Sequence, residues 1–236
     1  MQISIVLPTF NERDNIGPLV ERTLAVLDAH ELEIVVVDDD SPDGTWQVVE
    51  ELVQADGRVR LVRRIGESGL TSAIWRGINE ARGEWVGWMD CDLSMPPEDW
   101  PNLIQAAQGG ADMAVGSRYV AGGADIAHSV TGRMFSRVIN MASGLFLDWS
   151  IKDYTSGFIL AKKAIFEQIA LRGDYGEYCI DMLYRAKRAG FNIREVPYVC
   201  VPRESGESKT AANAWGYVTR GLNYVKTVSR LRFGGG

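Results

Sequence analysis

Trp85-Val86-Gly87-Trp88-Met89-Asp90-Cys91-Asp92 is the stretch on which the fold turns. Five uncharged, mostly apolar residues in a row read as a strand buried on both faces, as in a parallel sheet. Two carboxylates one residue apart follow at once, and just past a buried strand they can face one metal ion. Oxygen-only ligands suit Mg²⁺ or Mn²⁺, ions that also hold substrate phosphates. An acidic pair by itself equally well caps a turn, so its position and company decide.

Working outward, short β-branched runs alternate with helical patterns. Ile3 to Leu7 reads as a strand, Asn15 to Leu27 as a helix, Ile34 to Val37 as a strand and Thr45 to Val53 as a helix. Val59 to Val62 is a strand, Leu70 to Ala81 a helix, and Pro96-Pro97 opens a helix to about Ala107, because proline suits a first helical turn. Met113 to Val115 is a fifth strand. This alternation predicts an α/β fold, a mostly parallel, doubly wound, Rossmann-like sheet with helices on both faces. Ligands of such sheets bind beyond the carboxyl ends of the strands. Asn11-Glu12, Asp38 to Asp40 and Asp90/Asp92 all fall at those ends, so three polar clusters distant in sequence converge on one rim.

Beyond Gly116 the alternation fades. Met134 to Leu147 reads as an apolar helix interrupted by Arg137 and Asn140, expected in the core, with contact of part of it with a lipid chain as the alternative, and Ile180 to Ala189 reads as a helix. Two short strands flank Pro197, a polar loop spans Arg203 to Lys209, and Ala211 to Phe233 forms a final helix. His30 and His128 stand isolated and read as surface residues. No repeat or linker divides the chain, which predicts one domain.

Net charge is −6 over 236 residues, which argues against duplex nucleic acid as a partner. From Arg203 onward six Lys/Arg face two Asp/Glu, a local +4 that leaves −10 on the preceding residues. A basic tail on an acidic body points to anionic ligands or an anionic surface near the C-terminus. Three widely spaced cysteines (91, 179, 200) form neither a zinc pattern nor a disulfide framework, so a reducing compartment is expected. Met1-Gln2-Ile3-Ser4 enters a strand without a secretory signal, and no stretch reaches the ~18 apolar residues of a spanning helix. The expected location is cytoplasmic, peripheral to the cytoplasmic face of a membrane.

Pro8-Thr9-Phe10-Asn11-Glu12, Val37 to Thr45 and Asp90-Cys91-Asp92-Leu93-Ser94 resemble the motifs of family 2 glycosyltransferases with the GT-A fold. Gly116-Ser117-Arg118-Tyr119, Asp153-Tyr154-Thr155-Ser156-Gly157-Phe158 and Gly206-Glu207-Ser208-Lys209 narrow the resemblance to dolichyl- or polyprenyl-phosphate mannosyltransferases. The resemblance implies a GDP-mannose donor, a Mg²⁺ or Mn²⁺ cofactor, and inverting transfer of mannose to a dolichyl or polyprenyl phosphate in a membrane. It implies a catalytic domain over 1–210, with 211–236 as an amphipathic helix and tail packed on it, and leaves room for a membrane-anchoring partner subunit. By position, Pro8, Phe10, Glu12, Val37, Asp39 and Cys91 would line the nucleotide pocket. Asp90 and Asp92 would hold the metal, with Ser94 beside it. Arg118 and Arg133, then Arg137, would meet the acceptor phosphate, and Arg203 and Lys209 would close over the donor diphosphate. Phe10 stands where tyrosine is common, and Cys91 where alanine is usual.

The residues support this chemistry and leave some assignments open. A phosphate monoester has a second pKa near 6, so such an acceptor is largely dianionic at neutral pH and needs little general base. Arginine suits it, because the planar guanidinium grips phosphate oxygens in pairs. Arg133 and Arg137 are equally readable as helix-solubilising residues. Asp92 and Arg118 carry the expected catalysis. Asp153 reads either as a carboxylate near the sugar or as a polar helix terminator. Asp38 to Asp40 serve either the nucleotide or the cap of the helix starting near Thr45. A UDP-glucose-dependent polyprenyl-phosphate glucosyltransferase and a non-catalytic scaffold with this fold are the competing readings. A dinucleotide-binding oxidoreductase is excluded by the missing Gly-x-Gly-x-x-Gly turn.

Overall fold

A computed structural model of the chain describes residues 1–204 and 214–234. Lys209 lies outside the described residues, as do Gly206, Glu207 and Ser208. The alternating half of the sequence folds as β1 (Gln2–Thr9), α1 (Arg13–Val26), β2 (Glu31–Asp38), α2 (Thr45–Ala55), β3 (Val59–Arg63), α3 (Leu70–Glu80), β4 (Trp85–Trp88), α4 (Trp100–Gln108) and β5 (Met113–Ser117). The remainder adds β6 (Ala124–Asp125), α5 (Val130–Phe146), β7 (Ile159–Lys162), α6 (Glu177–Arg188), β8 (Ile193–Pro197), β9 (Val199–Cys200) and α7 (Ala214–Phe233).

Seven strands form one sheet in the order β3-β2-β1-β4-β7-β5-β8, and β6 pairs with β9 in a separate ribbon. Every neighbouring pair in the large sheet is parallel except at β7, which runs antiparallel to both β4 and β5. The sequence pattern missed β7, because Ile159-Leu160-Ala161 is too short to distinguish from a helical segment by periodicity.

Strand alternation divides the core. Ile3, Ile5 and Leu7 of β1 point toward Ile16 and Leu19 of α1 and Trp100 and Leu103 of α4. Val6, with Val35 and Val37 of β2, points to the other face, against Ala73, Ile74 and Ile78 of α3. Each fully buried aliphatic side chain contributes roughly 1.5–3 kcal/mol relative to exposure, so both faces are firmly held. Gly87 in β4 leaves the gap that the Trp100 ring fills: a Cβ there would lie 2.6 Å from Cη2.

Helix α5 inverts the usual pattern. Its buried residues are Asn140, Ser143 and Gly144, while Val130, Met134, Val138, Met141 and Leu145 are more than 60 % exposed. The expected core helix is therefore corrected to one with an outward apolar face. Arg137 and Asn140 do not break it: Asn140 points inward, where its side chain bonds to Ser136 O, Thr155 Oγ1 and the Tyr154 amide. Helix α7 packs on α6, where Arg230 Nη2 donates to the buried Asp181 at 2.9 Å. No helix among the described residues is long and apolar enough to cross a membrane.

Candidate active site

The carboxyl ends of β1, β2 and β4 do converge on one cavity of about 740 Å³. Among the described residues, the three non-glycine residues with left-handed backbone, Asn11 (φ 55°), Asp40 (φ 52°) and Leu93 (φ 61°), follow these strands. Strained backbone of this kind costs about 1–3 kcal/mol per residue and is held by its surroundings. Here hydrogen bonds hold it. Asn11 N bonds to Ser41 Oγ at 3.0 Å, and Ser94 N bonds to Asp92 Oδ1 at 3.0 Å.

The acidic doublet occupies the cavity floor. Asp90, Cys91, Asp92 and Ser94 all line it, beside Pro8, Phe10 and Glu12 from the end of β1. Burial pushes the Asp90 carboxyl up to about 7, the charge of Asp92 adds to the rise, and Arg118 and Arg203 oppose it. Arg203 Nη2 lies 2.9 Å from Asp92 Oδ2 and places a cationic group on the doublet. Two carboxylates, a hydroxyl and like-charge repulsion met by a guanidinium make a donor set that fits a hard divalent cation.

Arg118 forms the other charged wall, set by a carboxylate beneath it. Its Nε donates to Asp153 Oδ2 at 2.9 Å, its Nη2 to Asp153 Oδ1 at 2.8 Å, and its backbone N to Oδ2 at 3.0 Å. Nη2 also reaches Thr155 Oγ1 at 2.8 Å. Burial works against the guanidinium charge, but the adjoining Asp153 carboxylate outweighs it and lifts Arg118 well above its ordinary value. Asp153 is fully buried, with both oxygens engaged and its amide donating to Glu195. It does not line the cavity, so its expected place near a sugar is corrected: it orients Arg118.

Other expectations are redistributed. Val37 is fully buried in the core toward α3 and is absent from the cavity wall, because strand alternation points its side chain away from the rim. Asp39 does reach the cavity, but its oxygens accept from the buried Arg64 Nε at 2.7 Å and from Gly69 N at 2.8 Å. None of Asp38 to Asp40 caps α2. Asp38 closes its own turn with Ser41 N and Oγ, Asp40 pairs with Arg63, and Asp43 bonds to Thr45 N. Arg133 and Arg137 lie outside the cavity lining. Arg133 bonds to the His128 carbonyl at 3.0 Å, and Arg137 is exposed on α5. His128 is not isolated: it lines the cavity and pairs with Asp125.

Sequence reasoning missed the polar relay behind Arg118. Thr155 Oγ1 meets Ser136 Oγ at 3.2 Å and Asn140 Nδ2 at 3.0 Å, and Ser136 Oγ accepts from Tyr119 OH at 2.9 Å. This ties α5 to the Asp153 loop. The inward Asn140 on a helix otherwise read as apolar was the one available signal. Arg64 was also missed, since nothing local marks an arginine after a short strand as buried.

A seven-stranded α/β sheet with one antiparallel strand and an acidic rim doublet defines the GT-A class of glycosyltransferase folds. Solved structures agree. A mannosyltransferase from Pyrobaculum calidifontis, in complex with GDP-Man and Mn²⁺, superposes with a TM-score of 0.70 at 20 % identity, over 97 % of this chain and 64 % of that one. Mannosyl-3-phosphoglycerate synthase from Rubrobacter xylanophilus gives 0.74 at 19 % identity, over 98 % and 73 %.

The family model for glycosyl transferase family 2 matches residues 4–170, and the chain belongs to that family. It is 39 % identical over 211 residues to a dolichol-phosphate mannosyltransferase of Pyrococcus furiosus, spanning 89 % of this chain and 59 % of that protein's length. It is 37 % identical over 216 residues to a polyprenol monophosphomannose synthase of Mycolicibacterium smegmatis, over 89 % and 81 %.

Proposed function

We propose that this protein transfers mannose from GDP-mannose to a polyprenyl or dolichyl phosphate, with inversion and with Mg²⁺ or Mn²⁺. The observation that carries the proposal is the pairing of two charge sites of opposite sign in one cavity: an acidic doublet and a carboxylate-locked arginine. The names of the two curated relatives supply the acceptor class. The bound state of the Pyrobaculum neighbour supplies the donor.

Phe10, 45 % exposed over the cavity, offers a ring face to the base, with Pro8 and Glu12 beside it. Asp90 and Asp92, with Ser94, would hold the divalent cation, which as a Lewis acid neutralises charge on the departing nucleotide. Arg203 adds positive charge at the same place, and Lys209 is assigned to the donor diphosphate with it. Arg118 receives the acceptor phosphate. Its Nε and Nη2 are fixed by Asp153 and Thr155, so the arginine reaches the phosphate without rotamer loss. Because the acceptor is already largely dianionic, charge management and alignment dominate and no residue is assigned as general base.

The outward apolar face of α5 suits the acceptor's medium. Met134, Val138, Met141 and Leu145 would rest on a bilayer at the headgroup level, with Arg133 and Arg137 near phosphates. The protein then works peripherally on a cytoplasmic membrane face, alone or with a membrane-anchoring subunit.

Transfer of labelled mannose from GDP-mannose to a polyprenyl phosphate, with and without EDTA, tests the proposal. Metal-dependent product formation is expected, and Asp92→Ala should abolish it in a folded protein. Full activity of that variant would contradict the metal role. Donor calorimetry should show GDP-mannose binding more tightly than UDP-glucose; the reverse order would favour glucosyl transfer.

A further inference from the structure

We propose that Asp125, His128 and Cys200 form a second metal site in the cavity, for one thiophilic divalent cation of the Zn²⁺ class, built from residues other than the acidic doublet. Two strands and a turn build it. Asp125 and Cys200 are directly paired residues of the parallel β6–β9 ribbon, so their side chains leave the same face. His128 follows Asp125 by three residues, with its amide bonded to Asp125 Oδ1 at 3.1 Å. Its Nδ1 lies 3.0 Å from each Asp125 oxygen. A carboxylate oxygen, an imidazole nitrogen and a thiol sulfur thus all fall within 4.8 Å of one another.

Zinc bonds of about 2.0–2.3 Å in a tetrahedron hold ligand atoms roughly 3.3–3.7 Å apart. Separations of at most 4.8 Å must close by no more than about 1 Å, while the 3.0 Å His128–Asp125 hydrogen bond must open slightly, and the pieces allow it. The Asp125 and Cys200 side chains are already buried in place, whereas the His128 ring is 53 % exposed and has room to turn. Coordination releases the Cys200 thiol proton to solvent and leaves a thiolate on the metal. Its sulfur and nitrogen donors select Zn²⁺-class ions, while the doublet's oxygens select Mg²⁺ or Mn²⁺. Two sites in one cavity would thus sort cations by softness.

Three protein ligands leave a fourth position. His128 and Cys200 line the cavity, so that position opens into it, as in exchangeable rather than structural zinc sites. The metal would replace the long 3.5 Å contact of Arg118 Nη1 with Asp125. Arg118 would stay in place, because Asp153 holds its other nitrogens. This inference does not rest on the identity of the sugar donor or the acceptor, although Asp125 touches the Arg118 that the proposed function assigns to the acceptor phosphate.

The test is titration of the metal-stripped full chain with Co²⁺ in the presence of excess Mg²⁺, which occupies oxygen-only sites. One equivalent should bind with a thiolate-to-cobalt charge-transfer absorption, and one equivalent of Zn²⁺ should remove it. Cys200→Ser should lose the absorption. His128→Ala should weaken Co²⁺ binding by about tenfold or more, with thermal unfolding of the metal-free variant followed alongside because the imidazole also pairs with Asp125. No charge-transfer band, a band that survives Cys200→Ser, or an unchanged affinity in His128→Ala would each overturn the proposal.

Discussion

Replacing Asp153 by Asn probes the device that sets Arg118. The side chain keeps its shape but loses its charge, and a guanidinium only 8 % exposed is left over a neutral amide. Three Arg118 nitrogens, including the backbone amide, donate to the wild-type carboxylate. Removing one partner of a buried ion pair costs about 3–5 kcal/mol, mostly because the other charge stays buried. For a chain of this size each kcal/mol lowers Tm by about 2–4 °C, so a drop of roughly 6–20 °C is expected. The assay is thermal unfolding of wild type, Asp153→Asn, Arg118→Met and the double variant. The double variant should be more stable than Asp153→Asn plus Arg118→Met added together, with a coupling of about 2 kcal/mol, because removing both charges removes the desolvation problem. In activity, Asp153→Asn should depress turnover on polyprenyl phosphate while leaving GDP-mannose affinity unchanged, since the proposed function assigns Arg118 to the acceptor. A loss below about 1 kcal/mol, or strict additivity, would refute the positioning argument.

Asp90→Asn should raise the stability of the metal-free protein at neutral pH and abolish stabilisation by Mn²⁺, as read by Tm in EDTA and in Mn²⁺. The sign follows from the raised carboxyl, about 7 in the fold against 3.8 when exposed. Between those values the folded state holds a proton that the unfolded chain has lost, so this group's contribution falls as pH rises through the window. A metal-free protein that gains nothing from Asp90→Asn would show the doublet to be already neutralised. Val138→Glu, at an exposed position of α5, should leave unfolding free energy within about 0.5 kcal/mol of wild type and weaken flotation with polyprenyl-phosphate vesicles. Unchanged flotation would remove α5 as the membrane face. Gly87→Ala should cost about 1–3 kcal/mol through overpacking against Trp100, measurable by denaturant unfolding; a neutral result would mean the ring has room to move.

The first half of the fold was legible because the strands from Ile3 to Val115 are short, largely apolar runs ended by polar residues, interrupted only by Ser4 and Arg60, and spaced by amphipathic helices. The rim convergence followed from that alternation alone. What stayed hidden depends on contacts distant in sequence. Strand β7 inserts between β4 and β5 only because its partners lie some 70 and 45 residues away in the chain. Asp153 read as a possible sugar contact because its sequence cannot show that Arg118 covers it. Val37 went to the wrong side because adjacency to Asp38 says nothing about which face of the pleat a side chain takes. Helix α5 was read as core because an apolar stripe has the same periodicity whether it faces protein or lipid.

The two charge clusters of the cavity differ in a way that separates scaffold from site. Arg118 and Asp153 are deeply buried, but each satisfies the other, and the surrounding Thr155, Ser136 and Asn140 complete the bonds. That arrangement is internally closed and can hold its geometry without a ligand. Asp90 is the opposite case: burial and the like charge of Asp92 both work against its ionised form, and the positive charges that relieve it, Arg118 and then Arg203, are themselves bonded to Asp153 and Asp92. Leaving such a group in place costs folding stability unless something else supplies positive charge. The left-handed backbone at Leu93, between Asp92 and Ser94, adds to that cost. A cation that binds the folded state alone recovers it through mass action. Under the proposed function, the strain and unfavourable charge at the doublet would be stability withheld until an ion arrives, and the Arg118 cluster the rigid group against which an acceptor phosphate would be aligned.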